Sequence, residues 1–294
     1  MELHTKRQLV ALLKERGIRP SRGLGQNFLI DQNLLRLVKR EADLQPKDVV
    51  LEIGCGTGLL TRHLCESGAT VCAVEIDRRL AEICGDYLEG FENLTLLRKD
   101  VLASKHLLDP ELLSLLKRTT TNGSQLKVVC NLPYAVSTPV IACLLESNLP
   151  VSLMVLTVQK EVADRLLATS NSSSYGILSV IAQVHAEVKL LRTLPPDVFW
   201  PKPKVSSAII KLTPNRQLLD RIQDYATFRK AVQAVFSHRR KTLSNSLVAA
   251  FEQQIAAEEL SVLLDKCHID GSRRGESLTI DEIICLANHL TTRD

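Results

Sequence analysis

Between residues 49 and 165, short apolar runs alternate with longer segments whose apolar positions recur every three to four residues. This is the pattern of buried parallel strands separated by surface helices. The first run, 49–53 (VVLEI), leads into glycines and then a helical segment over 59–67. The second, 70–75 (TVCAVE), precedes a helix that runs through Leu88. Runs at 94–97, 126–130 (LKVVC) and 151–158 supply three more strands, the last followed by an amphipathic helix over 160–168. Two further strands, over 179–189 and 207–212, are joined by a Pro-rich loop (194–204) with no helix between them, so the sheet is expected to end in an antiparallel edge. Polar tracts at 119–124 and 170–174 read as loops. After the linker 213–217 (TPNRQ) strand signals stop and helical periodicity continues to residue 290. The expected fold is therefore α/β: a Rossmann-like, mostly parallel sheet with an antiparallel edge in a domain over 1–213, then a small all-helical domain over 218–294.

A chain of 294 residues with 45% hydrophobic content has the length and the core material for that arrangement. No apolar run approaches a membrane span, and the one at 9–13 is too short for a secretory signal. The eight cysteines include no C-x-x-C pair and fall mostly inside apolar segments, which suggests neither a disulfide framework nor a metal site and fits a reducing cytoplasm. Cys55 sits within the glycine-rich stretch, where a small filler is the simpler reading and a reactive thiol the alternative.

Net charge is only +4, but it is unevenly spread. Twelve of the 37 basic residues and three of the 33 acidic ones fall between 189 and 245, which leaves the rest of the chain net negative by five. A basic face on a mildly acidic body points to a polyanion partner, with an ordinary solvated surface as the alternative.

Two constellations carry chemistry. Residues 51–61 read LEIGCGTGLLT, with Gly54, Gly56 and Gly58 at two-residue intervals between the first strand and its helix. A dinucleotide fold spaces its third glycine further on, because a pyrophosphate must approach the helix N-terminus. The tighter spacing suits an adenosyl group without phosphates. Glu75 ends the second strand, where a carboxylate can accept from both ribose hydroxyls, and Asp100 lies beyond the third, placed to accept from an adenine amine. Asp77 reads as a helix cap, and Glu52 either orients the ammonium end of the ligand or braces the loop. The second constellation is Asn131-Leu132-Pro133-Tyr134, directly after the fourth strand. Pro133 holds Leu132 out of helical geometry, so that a side-chain amide, a backbone carbonyl and an aromatic face point outward together. That set can hold a flat exocyclic amine for methyl transfer; the plainer alternative is a turn with Asn as a helix cap.

Read in order, LGQNFLID (24–31), GCGTG (54–58), Glu75, Asp100, NLPY (131–134), FWPKPKVSSA (199–208) and FSHRRKTLSNSL (236–247) resemble the ribosomal RNA adenine dimethyltransferases. These are the small-subunit enzymes whose loss gives kasugamycin resistance in bacteria, and the resemblance covers nearly the whole chain. It implies dimethylation of the exocyclic amines of two adjacent adenosines near the 3′ end of small-subunit RNA, with S-adenosyl-L-methionine as cofactor and no metal. The implied partner is that RNA in a 30S-type particle or precursor, in the service of subunit assembly; because no exposed apolar helix seam stands out in the sequence, a monomer is expected. The cofactor residues would be Gln26, Asn27, Phe28 and Leu29 from an N-terminal arm, with Gly54, Gly56, Gly58, Glu75, Ile76, Asp100, Val101 and Asn131. The catalytic set would be Asn131, Leu132, Pro133 and Tyr134, with Phe199 forming a sandwich around the base with Tyr134, and RNA contacts would come from Lys202, Lys204, Arg239, Arg240 and Lys241. Cys55 replaces the family's commoner proline, and Ala135-Val136 replace Asn-Ile. Pro139 and the basic helix favour this reading over the large-subunit methyltransferases of macrolide resistance. A binding or assembly factor with dispensable catalysis is the alternative of a different class.

Overall fold

The computed structural model describes residues 5–121, 123–238, 241–251 and 256–291. Its main sheet has seven strands: Val49–Ile53 (β1), Thr70–Val74 (β2), Leu94–Leu97 (β3), Leu126–Asn131 (β4), Val151–Gln159 (β5), Ala186–Leu194 (β6) and Ser207–Pro214 (β7). Their order across the sheet is β3-β2-β1-β4-β5-β7-β6. β1 pairs in parallel with β2 and with β4, as do β2 with β3 and β4 with β5, whereas β7 runs antiparallel to β5. All five residues of β1 are buried, as its near-continuous apolar sequence requires of a strand covered on both faces. Asp31 and Asp77 start the flanking helices Gln32–Ala42 and Arg78–Tyr87 by accepting hydrogen bonds from backbone N–H groups of the first turn.

The chain steps outward from β1 through β2 to β3, then returns to β4 on the other side and proceeds to β5. The order therefore reverses between β1 and β4, and the crevice beyond their carboxyl ends is where an open α/β sheet takes its ligand. The glycine-rich stretch leaves β1 at this crevice and Asn131 ends β4 at it.

Two differences from the sequence reading have plain causes. Residues expected as a strand over 179–189 instead form the helix Ile177–His185, and the strand begins only at Ala186. Leu178, Val180, Ile181, Ala182 and Val184 are all buried, so the run is apolar nearly all round and its period does not distinguish helix from strand. A short hairpin, Leu102–Ser104 with Leu107–Leu108, also follows β3 without a sequence signal strong enough to mark it.

The chain forms two compact units, one comprising the residues up to Ala163 with Val188–Pro214, the other Asp164–Glu187 with Asn215 onward. Residues 164–187, expected with the sheet, thus pack with the helices. The second unit holds the helices Tyr225–Ser237, Leu243–Phe251, Ala257–Lys266 and Ile280–Thr291 around a core that includes Phe228, Leu247, Leu263 and Ile283. In it Cys267 and Cys285 are joined as a disulfide with their Cα atoms 5.9 Å apart, contrary to the expectation of no disulfide. Their 18-residue separation carries no motif, and the packing of two helices alone brings them together. No described helix is long and apolar enough to cross a membrane.

Beneath the sheet, Lys127 of β4 meets Asp48 at 2.8 Å and donates to the Asp43 carbonyl at 2.6 Å, with the two charged side chains only 6% and 1% exposed. Burial alone would raise the Asp48 pKa; the lysine overrides it and holds the carboxyl below its ordinary range. Removing one partner of such a pair strands the other charge. Lys127→Ala is expected to cost about 3–5 kcal/mol in urea unfolding, and a loss below 1 kcal/mol would contradict this account of the pair.

Candidate active site

At the carboxyl end of β2, Glu75 is 5% exposed. One carboxylate oxygen accepts from the Gly56 N–H at 2.8 Å and the other from the Asp77 N–H at 2.9 Å. Glu75 therefore ties the glycine loop to the start of the next helix while keeping lone pairs for a ligand diol. Burial raises its pKa, and the two backbone amides oppose that rise. Asp77 sits beside Arg79 and Gln26, which hold its carboxyl below the ordinary range against the effect of burial.

The arm over 21–29 closes the crevice. Gln26 accepts from the Ser21 N–H at 2.7 Å and donates to Asp77 at 3.3 Å. Asn131 then donates from Nδ2 to the Asn27 carbonyl at 2.9 Å. Phe28 and Leu29 pair antiparallel with Trp200 and Phe199, which fastens the arm to the Pro-rich loop. Two glycines permit the closure. A Cβ at Gly54 would lie 2.5 Å from Pro133 Cγ, and one at Gly25 would lie 2.8 Å from the backbone nitrogens of both Tyr134 and Ala135. Both also have positive φ, +74° and +66°.

One cavity is lined by Gln26, Asn27, Phe28, Gly54, Gly56, Glu75, Ile76, Asp100, Val101 and Asn131, and by Pro133 of the tetrapeptide. The other two expected cofactor residues lie elsewhere. Leu29 is 4% exposed within the apolar core, and Gly58 faces Cys84, Tyr87 and Leu88, so both shape the site from behind. The sequence reading missed Gly25, Ile53, Val74, Leu80 and Lys99 on this wall. Gly25 lies inside the quoted arm motif, whereas Ile53 and Val74 look like any other strand residue. Lys99 is paired with Asp109 at 2.8 Å and Glu111 at 2.6 Å. Asp100 is exposed, lines the cavity and caps the hairpin by accepting from the Leu102 N–H with one oxygen, which leaves the other as a candidate acceptor.

A second cavity adjoins the first through Gly25, Gln26, Asn27 and Ala135 and is lined further by Tyr134, Gln159, Arg22, Lys202, Lys204 and Val205. Tyr134 is among its lining residues and shares a hydrogen bond with Ser207 through its hydroxyl. Phe199 behaves otherwise than expected: it is 1% exposed and meets Tyr134 edge-on, with ring centroids 6.5 Å apart and planes at 70°. The two rings do not form parallel walls, because pairing with Leu29 draws Phe199 into the core. Leu132 is 1% exposed, with its N–H donating to the Thr157 carbonyl. Arg239 and Arg240 lie outside the described residues, and Lys241 is exposed. The basic stretch is partly neutralised, since Lys202 pairs with Asp197 and Arg216 with Asp220.

Asn131 carries the most informative feature. Its Oδ1 is buried without a hydrogen-bond partner while Nδ2 is committed to Asn27. Because a carbonyl can pair only with the amide nitrogen, the arm dictates which way the side chain faces. Cys55 is the filler of the simpler reading: contact with Cys84, together with burial, pushes its thiol pKa well up, away from reactivity.

A parallel sheet with a glycine loop and a strand-end carboxylate at its switch point, beside a second cavity that shares the arm residues as its wall, defines a nucleoside-cofactor transferase. Comparison with known proteins specifies which. The sequence model of the ribosomal RNA adenine dimethylase family matches residues 19–286. The ribosomal RNA small subunit methyltransferase A of Halothermothrix orenii is 40% identical over 95% of this chain and 91% of its own. That of Bacillus licheniformis is 40% identical over 95% and 94%. Among solved structures, a dimethyladenosine transferase from Plasmodium falciparum superposes with a TM-score of 0.69 at 23% identity, covering 87% of this chain and 94% of that one. The 23S rRNA methyltransferase ErmE gives 0.61 at 23% identity over 90% and 99%. The chain belongs to the ribosomal RNA adenine dimethylase family and is an S-adenosylmethionine-dependent RNA methyltransferase.

Two measurements test this geometry. Gly25→Ala cannot keep the arm docked without strain on the order of 1–3 kcal/mol, so cofactor Kd is expected to rise about tenfold or more with far-UV circular dichroism unchanged. Unaltered binding by calorimetry would remove the arm from the site. The second concerns Glu52, 2% exposed at the end of β1, where burial, with the Glu75 charge adding and the Thr61 hydroxyl opposing, pushes the pKa up to about 8. A raised carboxyl pKa favours the folded state while the group is protonated. Wild type should thus lose stability relative to Glu52→Gln as pH rises from about 4.5 to about 8, and no further above that. Parallel urea curves across this range would contradict it.

Proposed function

We propose that the enzyme dimethylates the exocyclic amines of two adjacent adenosines near the 3′ end of small-subunit ribosomal RNA, with Asn131 as the amine acceptor. The observation that carries this reading is the buried, unpartnered Oδ1 of Asn131, which lines the first cavity directly before Pro133 and Tyr134. The small-subunit assignment is favoured by the relatives at 40% identity, which span nearly the whole chain.

S-adenosylmethionine, when bound, supplies an electrophilic methyl group on a sulfonium. Glu75 would hold its ribose and Asp100 its adenine, with Phe28 and the backbone at Gly54 and Gly56 shaping the amino-acid end. The fit rests on the Glu75 carboxylate at the cavity wall and on cavity walls held in place by the close approach of Gly25 to the Tyr134–Ala135 backbone and of Gly54 to Pro133.

An adenine amine is a weak nucleophile because its lone pair is delocalised into the ring. Asn131 Oδ1 and the Leu132 carbonyl accept its two hydrogens, which draws the nitrogen toward a tetrahedral shape and frees the lone pair. As positive charge grows on that nitrogen, the same two oxygens stabilise it. Pro133 and the arm fix them beforehand, so little reorganisation is needed at the moment of transfer. The base is unstacked to reach the cavity and lies against Tyr134, with Phe199 supporting that ring from within the core.

Arg22, Lys202 and Lys204 rim the second cavity and would take backbone phosphates; Arg239, Arg240 and Lys241 of the helical domain are separate candidates for phosphate contacts. The reading places the enzyme in the cytoplasm, acting as a monomer on a 30S-type particle or its precursor.

Asn131→Ala is expected to lower kcat on the order of 10²–10³-fold, with cofactor affinity held within a few-fold, in an assay with small-subunit particles and labelled cofactor. Near-normal transfer would sink the Asn131 assignment. Lys202→Ala/Lys204→Ala should raise KM for the particle and reduce the slope of log affinity against log salt by about 1–2; an unchanged slope would take this rim out of the RNA interface.

A further inference from the structure

Behind Asn131 lies a cavity of about 30 Å³ lined by Glu52, Thr57, Cys55, Leu35 and Leu60, with Asn131 on its near side. Three of these residues carry a buried side-chain oxygen that makes no hydrogen bond to protein: Glu52 Oε2, Thr57 Oγ1 and Asn131 Oδ1. Glu52 and Thr57 are 2% and 1% exposed. Leaving a buried polar oxygen unsatisfied costs on the order of 1–3 kcal/mol, and three on one small cavity need a common partner. The volume suffices for a single water, and three polar neighbours are the usual complement of a buried one.

We propose that Glu52 is a positioning residue for methyl transfer, anchoring Asn131 Oδ1 through one buried water that it shares with Thr57. This rests on the reading of Asn131 as amine acceptor and adds the support on its far side. Asn131 Oδ1 has two lone pairs; one takes the water and the other remains for the substrate amine. Nδ2 is already held by Asn27, so the water completes the restraint of the amide at both ends.

The protonated carboxyl donates to the water, whose two hydrogens are then available to Asn131 Oδ1 and Thr57 Oγ1. An ionised carboxylate would instead draw one of those hydrogens back to itself. The ionisable groups facing Glu52 are Glu75 and the thiols of Cys55, Cys65 and Cys130. Burial and neighbouring charge raise the pKa of all three thiols, which leaves them neutral through the physiological range. No cation among these neighbours favours the ionised form of Glu52.

The test combines kinetics of Glu52→Ala, Glu52→Gln and Thr57→Val on small-subunit particles with a crystal structure of the wild-type enzyme at a resolution that shows ordered water. A water within hydrogen-bond reach of all three oxygens is expected. Glu52→Ala should lower kcat about ten- to hundredfold by loosening the acceptor, with the KM for cofactor within about twofold. Glu52→Gln, whose amide can still donate to the water, should keep kcat within about threefold of wild type and lack the decline expected of wild type as pH rises through about 8. Thr57→Val should fall between the two in kcat. A dry cavity, full kcat in Glu52→Ala, or an equal loss in the Ala and Gln variants would each overturn the proposal. Where Glu52→Ala does not fold, Thr57→Val and the water structure decide. If Glu52→Ala is fully active while Asn131→Ala is dead, only this proposal fails; if both are fully active, the reading of Asn131 fails with it.

Discussion

The site depends on how closely three backbone segments approach one another. The arm, the glycine loop and the Asn-Leu-Pro-Tyr turn come from distant parts of the sequence, yet they meet with no room for a methyl group between them. Pro133 lies where a Gly54 side chain would be, and the Tyr134–Ala135 backbone lies where a Gly25 side chain would be. The proline thus does more than set the direction of its neighbours' carbonyls. It is the solid half of a fit whose hollow half is the glycine loop, and the acceptor oxygens inherit their placement from that contact.

Two acids at adjacent strand ends show how environment assigns roles. Glu75 receives two backbone amides, so its oxygens are oriented and its charge is partly compensated. Glu52, one strand away, has an oxygen with no protein donor, and burial, aided by the Glu75 charge, favours its neutral form. On the proposed reading, an acid inside β1 and one just past the end of β2 serve different chemistry, one toward a ribose and the other toward the amide that meets the base.

The sequence made the sheet legible because its central strands are short, near-continuously apolar and bounded by glycine, proline or charge. β1 and β3 fall on the residues that the pattern marks, and β2, β4, β5 and β7 end within two residues of it. The pattern failed at 177–185, where burial on all sides erases periodicity, and at Cys267 and Cys285, whose pairing exists only once two helices pack. At the site, residues with distinctive chemistry such as Glu75 and Asn131 were readable, whereas Ile53 and Val74 were not, since a strand-end aliphatic that faces a ligand looks like one that faces the core. Phe199 illustrates the converse. Its motif suggested a stacking surface, but register with Leu29 turned the ring inward.

The wall between the two cavities is a single layer, made of Gly25, Gln26, Asn27 and Ala135. On the proposed reading, one face of this layer belongs to the cofactor side and the other to the RNA side. Any displacement of it changes both compartments at once, so the Michaelis constants of the two substrates are not separately adjustable by mutation there. Selection acting on this stretch must satisfy two molecules with the same few atoms.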